Sequence, residues 1–158
     1  MPERSARAPD APLSCYRISP RSVPAEDVVE SMDHLHLDPI PRVVGVARQF
    51  IREHAPALES GLLDVLLLLT SELVTNAVIH ARTALEVGIT VTNHSIVVTV
   101  HDEDLGRPAP PDERREGGWG LGLVRDLAED SAMERHPGAG KTAWFRVSRE
   151  VTERGKAP

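Results

Sequence analysis

Three polar side chains recur at every fourth position of an apolar stretch, residues 62–81 (LLDVLLLLTSELVTNAVIHA). Glu72, Asn76 and His80 would advance only about 40° around a helix axis at each step, so they form one polar stripe. The stripe borders a leucine-rich face, where a carboxylate or carboxamide needs a partner because burying it unpaired is costly. The helix therefore either turns this stripe to solvent, as polar helix residues mostly do, or presents it to a ligand.

Two further features carry hydrogen-bonding groups that a nucleotide could use. Asp102 follows a β-branched run (SIVVTVH) and precedes Gly106, and its carboxylate can accept a hydrogen bond from a base amino group. An aspartate in a turn with only a structural role is the other interpretation. Gly118, Gly120 and Gly122 alternate at the opening of a predicted helix, where backbone N–H groups can meet phosphate oxygens without side-chain obstruction.

Two better-known glycine motifs are excluded. Residues 138–142 (GAGKT) resemble part of a P-loop, but Arg135 stands where the leading glycine is required, and a predicted strand follows in place of the helix. A Rossmann fingerprint would need a preceding strand, another glycine spacing and a following βαβ unit, which the pattern lacks.

Hydrophobic periodicity predicts the elements that must position these residues. An edge strand is predicted at Ser31–Leu37, followed by a helix from Arg42 to His54 and the long helix that carries the stripe. The remaining prediction comprises strands at 84–92 and 95–101, a loop at 103–117, a helix from 118 to about 129, and strands at 131–135 and 141–147. This order predicts an α+β fold, a two-layer sandwich with helices on one face of a mixed, mainly antiparallel sheet.

Composition indicates a soluble cytoplasmic protein. A chain of 158 residues is sufficient for one domain, and a net charge of −6 argues against direct nucleic-acid binding. The single cysteine, Cys15, provides neither a disulfide framework nor a zinc cluster. The leucine run is interrupted by Asp64 and is too short to span a bilayer, so no membrane association is expected. Residues 1–30 and 149–158 are predicted to be a disordered tail and a frayed tail.

The stripe, the strand-end aspartate and the glycine-bearing helix occur in this order and at close spacing. Together they resemble the GHKL ATPase superfamily of gyrases, histidine kinases, mismatch-repair ATPases and heat-shock chaperones. Within it the chain resembles the bacterial anti-sigma-factor serine/threonine kinases and their ATP-binding regulatory relatives. The resemblance covers residues 31–148 and implies the Bergerat ATP-binding fold, with ATP and Mg²⁺ as ligands.

The resemblance also implies residue roles on the helix and at the end of the strand. Asn76 corresponds to the side-chain ligand of Mg²⁺, and Glu72, one turn earlier, to a general base acting on water or a partner's serine hydroxyl. Asp102 is similar to the aspartate that reads the adenine amino group. His80, at the end of the stripe, is expected to pack and to take no part in chemistry.

The glycine segments and a late threonine complete the implied nucleotide site. Gly106 belongs to the turn beneath the base, and Thr142 matches the threonine that reaches the adenine region. The phosphate-cradling segment corresponds to Gly118, Gly120, Leu121, Gly122 and Leu123.

Two departures from the family pattern concern function. Asp104 replaces the first glycine of the D-x-G-x-G turn, which bears on nucleotide affinity. Anti-sigma-factor kinases often have an arginine near the end of the lid loop. Glu116 stands closest to that position here, so Arg114 or Arg115 would have to take the role of that arginine. Three hypotheses follow: a kinase that phosphorylates and binds a sigma factor or an anti-sigma antagonist, a catalytically silent ATP-gated binding module, and a domain without a nucleotide site. The sequence leaves a homodimer open.

Overall fold

The structure is a computed structural model that describes residues 21–106 and 118–150. Most of the predicted tails at 1–30 and 149–158, and most of the predicted loop at 103–117, lie outside the described residues. The elements are β1 (Val29–Leu37), α1 (Val43–His54), α2 (Ser60–His80), β2 (Leu85–Thr92), β3 (Ser95–Asp102), α3 (Gly118–Leu127), β4 (Asp130–His136) and β5 (Gly140–Ser148).

The five strands form one sheet in the order β1-β2-β3-β5-β4. The predicted two-layer α+β sandwich is confirmed, and β1 is an edge strand as predicted. All four pairings are antiparallel, whereas the prediction included a mixed sheet. The reason is that the hairpin formed by β4 and β5 inserts β5 between β3 and β4, so the two strands joined through α3 never become neighbours.

The core lies between the sheet and the helices α1 and α2. Leu66, Leu69 and Leu73 of α2 are almost fully buried, and burial of each such side chain contributes roughly 1.5–3 kcal/mol. The sheet side of the core is lined by alternate residues of the three inner strands, namely Leu85, Val87, Ile89, Val91, Ile96, Val98, Val100, Phe145 and Val147. This alternation identifies the face of each strand that looks toward the helices.

The helix α2 is the central helix of the domain. Its 21 residues are, by length and composition alone, apolar enough to cross a bilayer, which differs from the expectation based on the leucine run alone. In the fold α2 packs against α1, α3 and the sheet. Its hydrophobicity is therefore accounted for by the core that it shares with these elements.

Most element boundaries differ from the prediction by one or two residues, and two of these differences have a cause in hydrogen bonds between elements. The strand β1 begins at Val29, two residues before the predicted start, because Val28 and Asn93 exchange hydrogen bonds that extend the sheet. The Val28 N–H donates to Asn93 Oδ1 at 2.8 Å, and the Asn93 N–H donates to the Val28 carbonyl at 3.0 Å. The helix α3 ends at Leu127, two residues before the predicted end at about Glu129, because the Glu129 N–H bonds to the Arg146 carbonyl of β5.

Candidate functional site

Asp102 is the last residue of β3 and is only 2% exposed. It has the same parity as Ile96, Val98 and Val100, so its side chain lies on the helix-facing side of the sheet. A carboxylate buried to this extent requires partners. Its Oδ1 accepts the Asp104 N–H at 3.0 Å, and its Oδ2 lies 3.5 Å from Nζ of Lys141.

The turn that follows β3 repeats this pattern two residues later. Asp104 Oδ1 accepts the Gly106 N–H at 2.8 Å, and Asp104 Oδ2 accepts a hydrogen bond from Lys141 Nζ at 3.2 Å. The Gly106 N–H, followed by Lys141, lowers the pKa of Asp104 below its ordinary value. The Gly106 carbonyl in turn accepts a bond from Arg135 Nη1 at 3.0 Å. Two successive aspartate turns therefore order this segment without the glycine that the family pattern has at residue 104.

Gly140, the first residue of β5, allows this strand to begin against the end of β3. Its φ is +85°, and a Cβ placed there would collide with the backbone carbonyl of Asp102. Only glycine combines a positive φ with so close an approach of two backbones. Lys141, the next residue, is consequently placed directly opposite Asp102 in the strand register.

The polar stripe lies on the flank of α2 that faces away from α1. Arg48 of α1 donates to Ser71 Oγ at 2.8 Å, which marks the α1 side. Asn76 is five residues further on, about 140° around the helix. Glu72 and Asn76 are half-buried, and within the described ranges their side chains make no hydrogen bond or ion pair. With respect to the described residues, both groups therefore keep their hydrogen-bonding capacity for a ligand.

His80, at the end of the stripe, is exposed. The expectation that it packs is wrong, because it lies in the last turn of α2.

The glycine-bearing segment forms the start of α3, which packs against α2. The helix begins at Gly118, so Gly118 and Gly120 lie in its first turn, where N–H groups have no intrahelical acceptor. Gly122 is the fifth residue, beyond that first turn, and a Cβ there would meet no atom within 4 Å. Leu123 is half-buried and packs against the core. Backbone N–H groups for a phosphate are therefore offered by two of the three predicted glycines.

Thr142 does not lie on the same side of the sheet as Asp102. It pairs with His101 in the strand register, and its Oγ1 lies 2.9 Å from His101 Nδ1 and 2.9 Å from His136 Nε2. Alternation along β5 directs it away from the helices. The structure thus does not bring Thr142 together with the other predicted site residues, and Lys141 occupies the position beside Asp102.

Sequence reasoning therefore missed Lys141, Asp104 and Gly140 as builders of the site. In the sequence, the GAGKT segment is excluded as a P-loop, and only Thr142 from it is assigned a role. The sequence signal that could have identified Lys141 is strand alternation. Phe145 and Val147 of β5 point into the core, so residues of β5 with the same parity, including Lys141, lie on the face of the sheet that carries Asp102. The lid residues Arg114, Arg115 and Glu116 lie outside the described residues.

One of two comparisons with known proteins identifies a family for the chain. No curated protein matches the chain. The family model described as histidine kinase-like ATPase domain matches residues 37–147, which run from the last residue of β1 to the penultimate residue of β5. The match includes α2 with its stripe, the Asp102 turn and α3. The chain belongs to the family of histidine kinase-like ATPase domains, which are ATP-binding domains.

Proposed function

We propose that this domain binds ATP with Mg²⁺ and transfers the γ-phosphoryl group to a serine or threonine hydroxyl of a protein partner. The observation that carries the binding part is the buried carboxylate of Asp102, whose Oδ2 accepts no hydrogen bond from a described residue. The Lys141 ammonium lies 3.5 Å from this oxygen as an ion pair, and an exocyclic amino group of adenine can donate the hydrogen bond that the oxygen does not receive from the lysine. The half-buried stripe and the first turn of α3 provide groups for the triphosphate.

Asn76 fits the role of a Mg²⁺ ligand. Mg²⁺ typically takes one or two protein oxygens and completes its octahedron with phosphate oxygens and water. Among the described residues there is no cluster of three or more His, Cys, Asp or Glu side chains that could hold a metal ion. An amide oxygen that has no hydrogen-bond partner among residues 21–106 and 118–150 suits an ion that arrives with the nucleotide. When bound, Mg²⁺ would neutralise charge on the phosphates.

Glu72 is the proposed general base. It lies one turn before Asn76 on the same stripe, and it carries no internal hydrogen bond or ion pair among the described residues. A carboxylate in this position can accept the proton of an attacking hydroxyl while the phosphoryl group is transferred. Asn76 and the first turn of α3 would orient the phosphates, so the contribution of the protein is mainly positioning.

A protein partner in transcription control is the third part of the proposal. The resemblance to anti-sigma-factor kinases supports a cytoplasmic regulator that binds a sigma factor and phosphorylates an antagonist, either as a monomer or as a homodimer. The second candidate is an ATP-gated binding module without phosphoryl transfer. It is favoured by Glu116, which stands in the sequence near the place of a lid arginine.

Nucleotide binding is tested with Asp102→Asn and the matched control Asp27→Asn. Both changes remove one aspartate charge, but Asp27 bonds to Thr92 and Ser95 at the opposite end of β3. Calorimetry with Mg-ATP is expected to show a loss of more than about tenfold in affinity for Asp102→Asn, about 1.4 kcal/mol, and no change for the control. Saturating Mg-ATP, at a hundred times its dissociation constant, should also stabilise the wild type by about 2.7 kcal/mol. Absence of ATP binding by the wild-type chain would refute the proposed function.

Phosphoryl transfer is tested with γ-labelled ATP and a candidate antagonist protein. We expect label on a partner serine or threonine with the wild type and with Asp64→Asn, which alters an exposed carboxylate on the same helix. Glu72→Gln should retain ATP binding and lose the label. Tight ATP binding without labelled partner would support the silent binding module instead.

A further inference from the structure

A lysine lies at the end of the site where Asp102 is proposed to bind the adenine base, here called the base end. Its ammonium group is a competitor of the base amino group for Asp102. Nζ of Lys141 lies 3.5 Å from Oδ2 of Asp102, the same oxygen that is proposed to accept the base amino group. An ammonium group has three donors and no acceptor. If its hydrogen bond went to Asp102, the base amino group would have to compete for that oxygen with a full positive charge.

Asp104 takes this hydrogen bond in place of Asp102. The contact from Lys141 Nζ to Asp104 Oδ2 is a hydrogen bond of 3.2 Å, whereas the contact to Asp102 is an ion pair only. The lysine side chain is only 12% exposed, and its Nζ lies within 3.5 Å of both carboxylates. Both contacts join an ammonium to a carboxylate, but only the shorter one has hydrogen-bond geometry, so the ammonium lies on the side of Asp104.

The geometry keeps Asp104 in place for this task. Its Oδ1 is fixed by the Gly106 N–H at 2.8 Å, which leaves Oδ2 directed at the lysine. The same N–H lowers the pKa of this carboxyl, so Asp104 is ionised at neutral pH. The residue that departs from the family glycine and the lysine opposite Asp102 are therefore a matched pair.

We propose that Asp104 is a positioning residue for base recognition: it takes the hydrogen bond of the Lys141 ammonium, so that Asp102 Oδ2 keeps only the longer ion pair and can accept the purine 6-amino group. This rests on the proposed function in its ATP-binding part only. Restoring the family glycine at residue 104 should then weaken ATP binding, although it brings the turn closer to the family pattern.

The experiment compares two nucleotides: ATP, and purine riboside 5′-triphosphate, which lacks the 6-amino group. Asp104→Asn keeps an oxygen for the Gly106 N–H and removes the charge that holds Lys141. We expect this variant to bind ATP about tenfold more weakly and the analogue within twofold of wild type. Glu103→Gln, an exposed neighbour with the same change in net charge, should leave both affinities unchanged.

A second change completes the test. Lys141→Met removes the competing ammonium, so the double variant Asp104→Asn/Lys141→Met should bind ATP within threefold of wild type. Lys141→Met alone should also stay within threefold, and this result is informative even if Asp104→Asn does not fold. Far-UV circular dichroism of each variant confirms folding before affinity is measured.

Three outcomes would overturn the proposal while leaving the proposed function intact. In the first, the wild type binds ATP and Asp104→Asn binds it equally well. In the second, Asp104→Asn weakens both nucleotides by the same factor, which would indicate a collapsed turn. In the third, Lys141→Met in the variant background restores nothing. A wild-type chain that does not bind ATP would instead refute the proposed function itself.

Discussion

An aspartate lies among polar partners at each end of β3. Asp27 bonds to Ser95 at the start of the strand, here called the hairpin end, and Asp102 is the last residue of the strand. The two clusters differ in whether their hydrogen bonds are all satisfied within the protein. At the hairpin end, Asp27 Oδ2 accepts hydrogen bonds from Thr92 Oγ1 at 2.6 Å and Ser95 Oγ at 2.8 Å. The Ser95 N–H donates to Thr92 Oγ1 at 2.8 Å. These groups satisfy one another, and Thr92 is fully buried.

At the other end, Asp102 keeps an oxygen without a hydrogen bond from the described residues. On α2, Glu72 and Asn76 likewise have no described partner for their side chains. Polar groups that are buried without partners are costly. The hydrogen bonds around Asp27 are closed on themselves, which indicates a structural role, whereas the groups around Asp102 and on α2 keep acceptor capacity that the proposed ligand would use.

The largest effect on stability is expected at the Asp102 end of β3, where the backbone of β5 at Gly140 approaches the backbone of β3 closely. Gly140→Ala would bring a Cβ against the Asp102 carbonyl at a positive φ, and we expect a loss of more than about 3 kcal/mol in unfolding free energy. Gly138→Ala is the matched control, because its φ of +72° is similar and a Cβ there meets no atom within 4 Å. Urea unfolding of both variants measures the difference. Equal losses would mean that the close approach at Gly140 has no energetic consequence.

The hairpin end is expected to give a smaller effect that depends on pH. The hydrogen bond from Thr92, followed by that from Ser95, lowers the pKa of Asp27 against the opposing effect of burial. Because the folded-state pKa lies below the unfolded one, the stabilisation is present above the unfolded value of 3.8. It is lost as the pH falls through the lowered folded value.

Asp27→Asn should therefore lower stability at neutral pH and reduce the loss of stability on acidification, with no change in ATP affinity. Urea midpoints between pH 7 and about pH 3 measure this. If the variant loses stability on acidification as steeply as the wild type, the pH dependence belongs to other carboxylates. If the variant loses ATP affinity, the hairpin end is not purely structural and the contrast with the Asp102 end is wrong.

Hydrophobic periodicity was sufficient to predict the elements of the fold. The runs in β2 and β3, the helical spacing in α1 and the length of α2 each have one dominant pattern. The errors lie at the ends of elements, where tertiary hydrogen bonds decide. The bond from the Glu129 N–H to the Arg146 carbonyl joins residues that are distant in sequence, and no local pattern reports it.

The base end of the candidate site shows the limit of motif reading. The resemblance selects Thr142 from the GKT segment, because its residue type matches the family. Which of two adjacent residues faces Asp102 depends on the register of β5 against β3, which is a property of the pairing and not of the residue type. Likewise, the family pattern identifies Asp104 only as the replacement of a glycine. Its partner Lys141 lies 37 positions away, so no local pattern indicates the pair.

The smallest expected effect on nucleotide binding concerns Thr142 itself. Thr142→Val keeps the shape of the side chain and removes an Oγ1 that contacts His101 and His136. We expect a loss of about 1 kcal/mol in stability, typical of a hydrogen-bonded group, and an ATP affinity within twofold of wild type. The reason is that Thr142 and Asp102 lie on opposite faces of the sheet, so the hydroxyl cannot reach a base held by Asp102. Calorimetry with Mg-ATP on the folded variant decides this, and a tenfold loss would restore the family role of Thr142 and contradict the face assigned to Lys141.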